Sequence, residues 1–94
     1  MNPNKPLIIQ LLIADMKHEQ LLAGLSRLGF ESDWHSLDLS GVVAELMGIP
    51  EADRSGEWFE HYMDFVGKAG NYPVTATGNN LQPLAEACYE MLQQ

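Results

Sequence analysis

The sequence has 94 residues, 46% of them hydrophobic, so we expect a single domain spanning residues 1–94 with one modest core. Its 13 acidic and 5 basic residues give a net charge of −8 at pH 7, and no two basic residues are adjacent. This charge disfavours nucleic acid as a partner, because contacts with phosphates need a clustered basic surface.

The first predicted element is the segment at residues 7–14, which is apolar at seven of its eight positions. A helix that is hydrophobic nearly all round belongs in the middle of a core or in a subunit interface. Asn4 as a cap and Pro6 in the first turn favour a helix. Because three of the residues are isoleucines, which favour strands, the alternative is a small α+β domain with residues 7–14 as a strand.

The same segment is too short to cross a membrane, since a spanning helix needs about 20 apolar residues. It is followed by Asp15, Lys17 and Glu19, where a signal peptide would have small residues at its cleavage site. We therefore expect a cytoplasmic protein that does not contact membranes.

Four polar residues at 17–20 come next, so either one long helix continues through them or a second helix begins at Asp15. A leucine stripe with helical spacing follows and ends at Gly29, a residue typical of helix C-termini. Gly24 inside this stripe indicates that another helix approaches closely there. The stripe consists of Leu21, Leu22, Leu25 and Leu28.

Three further helices are predicted after a polar connector that contains Trp34. The first runs approximately from Leu39 to Met47 and is ended by Gly48. The second is capped by Ser55 and continues to about Val66. Its apolar face contains Trp58, Phe59, Tyr62, Phe65 and Val66.

The last helix follows an irregular stretch at residues 71–80 and is capped by Asn80. Its apolar stripe includes the single cysteine, Cys88, so we expect a buried, unreactive thiol. The stripe consists of Leu81, Leu84, Ala85, Cys88 and Leu92. Together these elements predict an all-α bundle of four or five short helices around the apolar N-terminal helix.

The polar face of the Ser55–Val66 helix is a candidate metal site. Glu57, Glu60, His61 and Asp64 are three or four residues apart and share one side of the helix. Carboxylates with a histidine can bind a divalent metal, which makes a metal- or small-ligand-binding domain one alternative function. Because this face is opposite the aromatic stripe, we expect it to face solvent, and we predict no cofactor.

A small enzyme with a histidine base, either His18 or His35, is the weaker alternative. No set of serine, histidine and aspartate has a spacing that specifies nucleophilic catalysis. The sequence therefore favours a protein without catalytic activity.

The leading hypothesis is a non-enzymatic interaction module. If packing leaves one side of the first helix bare, a twofold homodimer would cover it. A protein partner with a basic surface would instead be attracted by the acidic helix face. The residues predicted to make such contacts are Ile8, Ile9, Leu12, Trp34 and Tyr72.

Overall fold

The computed structural model describes residues 3–29, 39–54, 56–71 and 80–93. Within these ranges it contains helices and turns and no strand, so the all-α prediction is confirmed and the alternative with residues 7–14 as a strand is wrong. The elements are α1 (Lys5–Arg27), α2 (Leu39–Met47), a first 3₁₀ turn (Glu51–Asp53), α3 (Glu57–Gly67), a second 3₁₀ turn (Lys68–Asn71) and α4 (Gln82–Leu92).

Helix α1 is one continuous helix of 23 residues, and it passes through the polar residues at 17–20. The alternative of a second helix beginning at Asp15 is therefore wrong. Its first half is buried through Ile8, Leu12 and Met16, and beyond residues 17–20 it still contacts the bundle, because Nη2 of Arg27 donates to the carbonyl oxygen of Gly70 at 3.1 Å. It ends at Arg27, and Gly29 follows with φ of +85°, as predicted for a left-handed stop.

The core surrounds the inner face of α1, which contacts α2, α3, α4 and the second 3₁₀ turn. Helix α3 in turn packs against α4, so the apolar faces of all four helices meet in one cluster. The N-terminal helix is thus the element around which the bundle is organised, as predicted. The buried apolar residues that line it are Val43, Tyr62, Phe65, Val66, Ala69, Leu81, Ala85, Cys88, Tyr89 and Leu92.

The helix caps differ in detail from the predictions. Asn4 occupies the N-cap position of α1, but its side chain makes no capping hydrogen bond. At α3 the N-cap is Gly56, and the predicted cap Ser55 lies outside the described residues. At α4 the backbone N–H of Gln82 donates to Oδ1 of Asn80 at 3.0 Å, so Asn80 supplies the predicted side-chain acceptor one residue before the assigned cap.

Gly24 does not mark a close approach between helices, contrary to the prediction. A Cβ placed there would have nothing within 4 Å. The close approach lies instead at Gly70 of the second 3₁₀ turn, where a Cβ would be 3.5 Å from the Cβ of Ala23. Sequence alone does not place Gly70 beside α1, because the packing of α3 is what brings Gly70 and Ala23 together.

The molecule is flat, with principal extents of 39 × 29 × 17 Å. Two layers of helices with axes 8–10 Å apart give a thickness of roughly 15 Å between outermost Cα atoms, and three layers give about 25 Å. A thickness of 17 Å therefore corresponds to two layers. Helix α1 consequently has neighbours on one side, and its other side faces outward.

Candidate functional site

The outward side of α1 carries a second apolar stripe, which we call the outer stripe. Its residues are separated alternately by four and three positions, so they form a continuous band along three seven-residue repeats, about six helical turns. The outer stripe consists of Leu7, Leu11, Ala14, His18, Leu21, Leu25 and Leu28.

Every second residue of the outer stripe is well exposed. Leu7 is 48% exposed, Leu21 52% and Leu28 74%, and Ala14 between them is exposed as well. Leu11, His18 and Leu25 form the half-buried edge of the stripe. A surface that presents several large apolar side chains in one line is typical of a site of protein association.

The exposure of Leu21 and Leu28 corrects the predicted core stripe at residues 21–28. These leucines belong to the outer stripe, whereas the core is filled by a different face of the same helix that includes Met16. The helix has two apolar faces, and only one of them can contact the bundle in a two-layer structure. The periodicity of the sequence does not distinguish which face that is.

The predicted contact residues of α1 lie on its inner face. Ile8 is 0% exposed, Ile9 5% and Leu12 0%, so all three are buried in the core of the chain itself. The structure thus corrects which face of α1 is accessible: the outer stripe is exposed, and these three residues are not. Trp34 and Tyr72, the other two predicted contact residues, lie outside the described residues.

Helix α1, which carries the outer stripe, is poor in acidic residues. Helix α1 contains two of the 13 acidic residues, of which Asp15 is buried and Glu19 is half-buried. The exposed polar neighbours of the stripe are Gln10 and Lys17. A second copy with the same charge of −8 is therefore not opposed by carboxylates at this face.

The polar face of α3 is exposed, as predicted, but does not form the predicted metal site. Nε2 of His61 lies 3.3 Å from Oε1 of Glu57. Within the described part of the chain, however, no three His, Cys, Asp or Glu side chains come together as metal ligands. The reason is geometric: a rise of 1.5 Å per residue separates Glu57 from Asp64 by about 10 Å along the helix. Glu60 is likewise directed to solvent.

A groove of about 440 Å³ lies beside this face, between the first 3₁₀ turn, the start of α3 and the end of α4. Six of its ten lining residues are apolar, among them Trp58 with its indole ring, and no residue of α1 contributes. Two carboxylates and one imidazole supply the charged and titratable groups. The lining residues are Ile49, Pro50, Ala52, Asp53, Glu57, Trp58, His61, Met91, Leu92 and Gln93.

A buried hydrogen bond behind the groove ties α1 to α3. The Tyr62 hydroxyl donates to Oδ2 of Asp15 at 2.6 Å, and Asp15 is 1% exposed. Burial raises the pKa of Tyr62 well above its usual range, and the hydrogen bond to Asp15 raises it further. The tyrosine therefore remains a hydrogen-bond donor. The burial of Tyr62 agrees with its predicted place on the apolar face of the helix, whereas the burial of its partner Asp15 is not predicted by the sequence.

The predicted buried thiol is present, because Cys88 is fully buried. Its pKa is raised to about 12, mainly by burial and also by the carboxylate of Asp15, while the charge of Lys68 acts in the opposite direction. A thiol with this pKa carries no nucleophilic thiolate near neutral pH.

Of the two histidines proposed as catalytic bases, the structure describes only His18. His18 is half-buried in the outer stripe of α1 and does not line the groove beside Trp58. His35 lies outside the described residues.

Among the helices of the described ranges, none combines the length and the apolar character that a membrane span requires. No family of known proteins, no curated protein and no solved structure matches this chain.

Proposed function

We propose that this chain is a non-enzymatic homodimerisation module in which two copies pair along the outer stripe of α1. The observation that carries the proposal is the band of half-exposed leucines with alternating spacings of four and three residues. That spacing is the pattern by which two helices pack side by side with their side chains interdigitated.

The stripe is suited to pairing with itself. When two α1 helices lie antiparallel about the middle of the stripe, Leu7 of one copy faces Leu28 of the other. Ala14 then faces Leu21, so that a small residue is opposite a large one. This alternation allows close packing without voids. An interface of this kind is isologous and closes at two copies.

The length of α1 gives the interface a useful size. Its 23 residues extend over about 34 Å, and the stripe occupies nearly all of that length. Burial of a half-exposed leucine contributes roughly 1 kcal/mol. The three exposed leucines of each copy therefore act together against the entropy lost on association.

A charge placed in the middle of the stripe tests the proposal. Sedimentation equilibrium should find the wild type as a dimer that dissociates on dilution, and Leu21→Glu as a monomer. Because Leu21 is already 52% exposed, the variant should keep the helical circular dichroism of the wild type. The matched control is Val42→Glu on α2, which changes a residue of similar exposure (47%) outside the stripe and should remain dimeric.

Two results would contradict the proposal. One is a wild type that stays monomeric up to high concentration. The other is a dimer that survives Leu21→Glu and is lost in Val42→Glu, which would move the interface to α2.

A further inference from the structure

We propose that the groove beside Trp58 binds small organic cations, namely protonated amines with a flat apolar body. This site lies apart from the outer stripe, since no residue of α1 lines it. The inference therefore goes beyond dimerisation and stands or falls independently of it.

The apolar part of the groove fits the body of such a ligand. Trp58 supplies an indole ring, and Met91 and Leu92 of α4 add further apolar surface to the lining. The indole is held in place by stacking on Tyr62, with ring centroids 5.7 Å apart and planes inclined by 24°. Tyr62 is anchored in turn by its hydrogen bond to Asp15. The aromatic wall is thus fixed before any ligand arrives, which reduces the entropy lost on binding.

The charges at the groove select for a cation. Asp53 and Glu57 line it, His61 contacts Glu57, and neither lysine nor arginine is among its lining residues. An ammonium group can pair with these carboxylates while the apolar body of the ligand packs against the indole ring.

The nearest basic residue in the sequence is directed away from the groove. Nη2 of Arg54 donates to Oε2 of Glu45 at 2.9 Å, and its Nε donates to the carbonyl oxygen of Ile49 at 2.8 Å. These bonds leave the carboxylate of Asp53 without a competing guanidinium from Arg54. They also brace the segment from Ile49 to Asp53 that forms one wall.

The size of the groove limits the ligand class. A volume of about 440 Å³ lies at the lower end of the range for small-molecule sites, which is about 300–1,000 Å³. It accommodates a single ring with a short aminoalkyl chain. Phenethylamine is a suitable probe, and 3-phenylpropionate is its matched anion with the same ring and a chain of similar length.

The test uses the tryptophan of the site as its reporter. In a Trp34→Phe variant Trp58 is the only tryptophan, because the chain has two. Titration with phenethylamine at neutral pH should change the Trp58 fluorescence saturably, and 3-phenylpropionate should bind at least several-fold more weakly. The same titrations followed by amide NMR shifts in the wild type should give the same order and place the shifts at the groove.

Paired variants separate the groove from general surface charge. Asp53→Asn combined with Glu57→Gln should weaken phenethylamine binding roughly twofold to thirtyfold, as expected for the loss of two partly exposed ion pairs. Glu57→Gln alone should also weaken binding, whereas Glu60→Gln, which removes the same single charge from an exposed position of α3 that does not line the groove, should leave the affinity unchanged.

The proposal is overturned if 3-phenylpropionate binds as tightly as phenethylamine, or if neither compound gives a saturable change. It is also overturned if Glu60→Gln weakens binding as much as Glu57→Gln does. Leu21→Glu should bind phenethylamine like the wild type, so failure of this proposal can be distinguished from failure of the dimer.

Discussion

At the scale of single residues, the hydrogen bond between Tyr62 and Asp15 connects the core with the groove. It joins α1 to α3 inside the bundle, and the ring of the same tyrosine stacks on the indole of Trp58. A buried polar pair of this kind fixes one arrangement of two helices, because the alternatives leave a polar group in apolar surroundings.

The Tyr62→Phe substitution tests this role, because it removes the hydroxyl and keeps the ring. At pH 8 the variant should lose about 1–3 kcal/mol of unfolding free energy, the usual effect of deleting a buried hydrogen bond. The control is Tyr89→Phe, which removes a hydroxyl that accepts a hydrogen bond from Gln93 near the chain end and should have a smaller effect. Urea unfolding measures both.

The same substitution has a pH dependence with a definite sign. The pKa of Tyr62 is raised in the folded chain, so its stabilising contribution is complete below the unfolded pKa of 10.0 and is lost as the pH rises above it. The deficit of Tyr62→Phe relative to the wild type should therefore shrink by about 1.4 kcal/mol for each pH unit above 10. A deficit that stays constant between pH 8 and pH 11 would show that the hydroxyl is not shielded.

At the residue scale, helical spacing predicts the burial of many large apolar side chains, although Leu21 and Leu28 are exceptions, and it does not predict buried polar ones. Tyr62, Phe65 and Cys88 were placed in the core from their helical spacing, and they are buried. The burial of Asp15 is not predicted by the sequence. Its burial depends on a donor 47 positions later in the chain, and periodicity contains no information about such a pair.

At the scale of secondary-structure elements, glycines and prolines determine what the sequence can predict. The predicted bounds of α2, Leu39–Met47, agree with the structure, because Gly48 has φ of +74° and Pro50 follows it. The length of α1 could not be decided in advance. Its continuation through residues 17–20 depends on contacts with the rest of the bundle, which the local sequence does not encode.

A pair of glycine substitutions tests the description of α1. Gly24→Ala should raise the unfolding free energy by about 0.5–1 kcal/mol, because the position is helical and a Cβ there meets nothing within 4 Å. Gly29→Ala should lower it by about 1–2 kcal/mol, because its φ of +85° disfavours a side chain. Thermal or urea unfolding measures both changes. The substitutions are made in the Leu21→Glu variant, because its expected monomeric state keeps dimerisation from contributing to the unfolding free energy. Two changes of the same sign would refute the assignment of these backbone conformations.

At the scale of the whole molecule, a thickness of two helix layers explains why an apolar helix is left half uncovered. The sequence supported a bundle around the N-terminal helix and raised dimerisation as a consequence of any bare side. It could not identify that side, since Ile8 and Leu7 are adjacent and equally apolar. The groove is not predictable from the sequence for a related reason: its walls come from the first 3₁₀ turn, α3 and α4, which only the fold brings together.

Dependence on salt separates the two proposed surfaces. Each copy carries a charge of −8, so two copies repel one another, while the outer stripe that joins them is apolar. Raising the ionic strength shortens the Debye length from about 30 Å at 0.01 M to about 3 Å at 1 M and screens that repulsion. The dimer should therefore become tighter as sodium chloride is added, whereas phenethylamine should bind its groove more weakly. Sedimentation equilibrium and Trp58 fluorescence at low and high salt measure the two effects on the same preparation, with Leu21→Glu remaining monomeric throughout. If the dimer instead dissociates as the salt concentration rises, it is held together by ion pairs and not by the outer stripe.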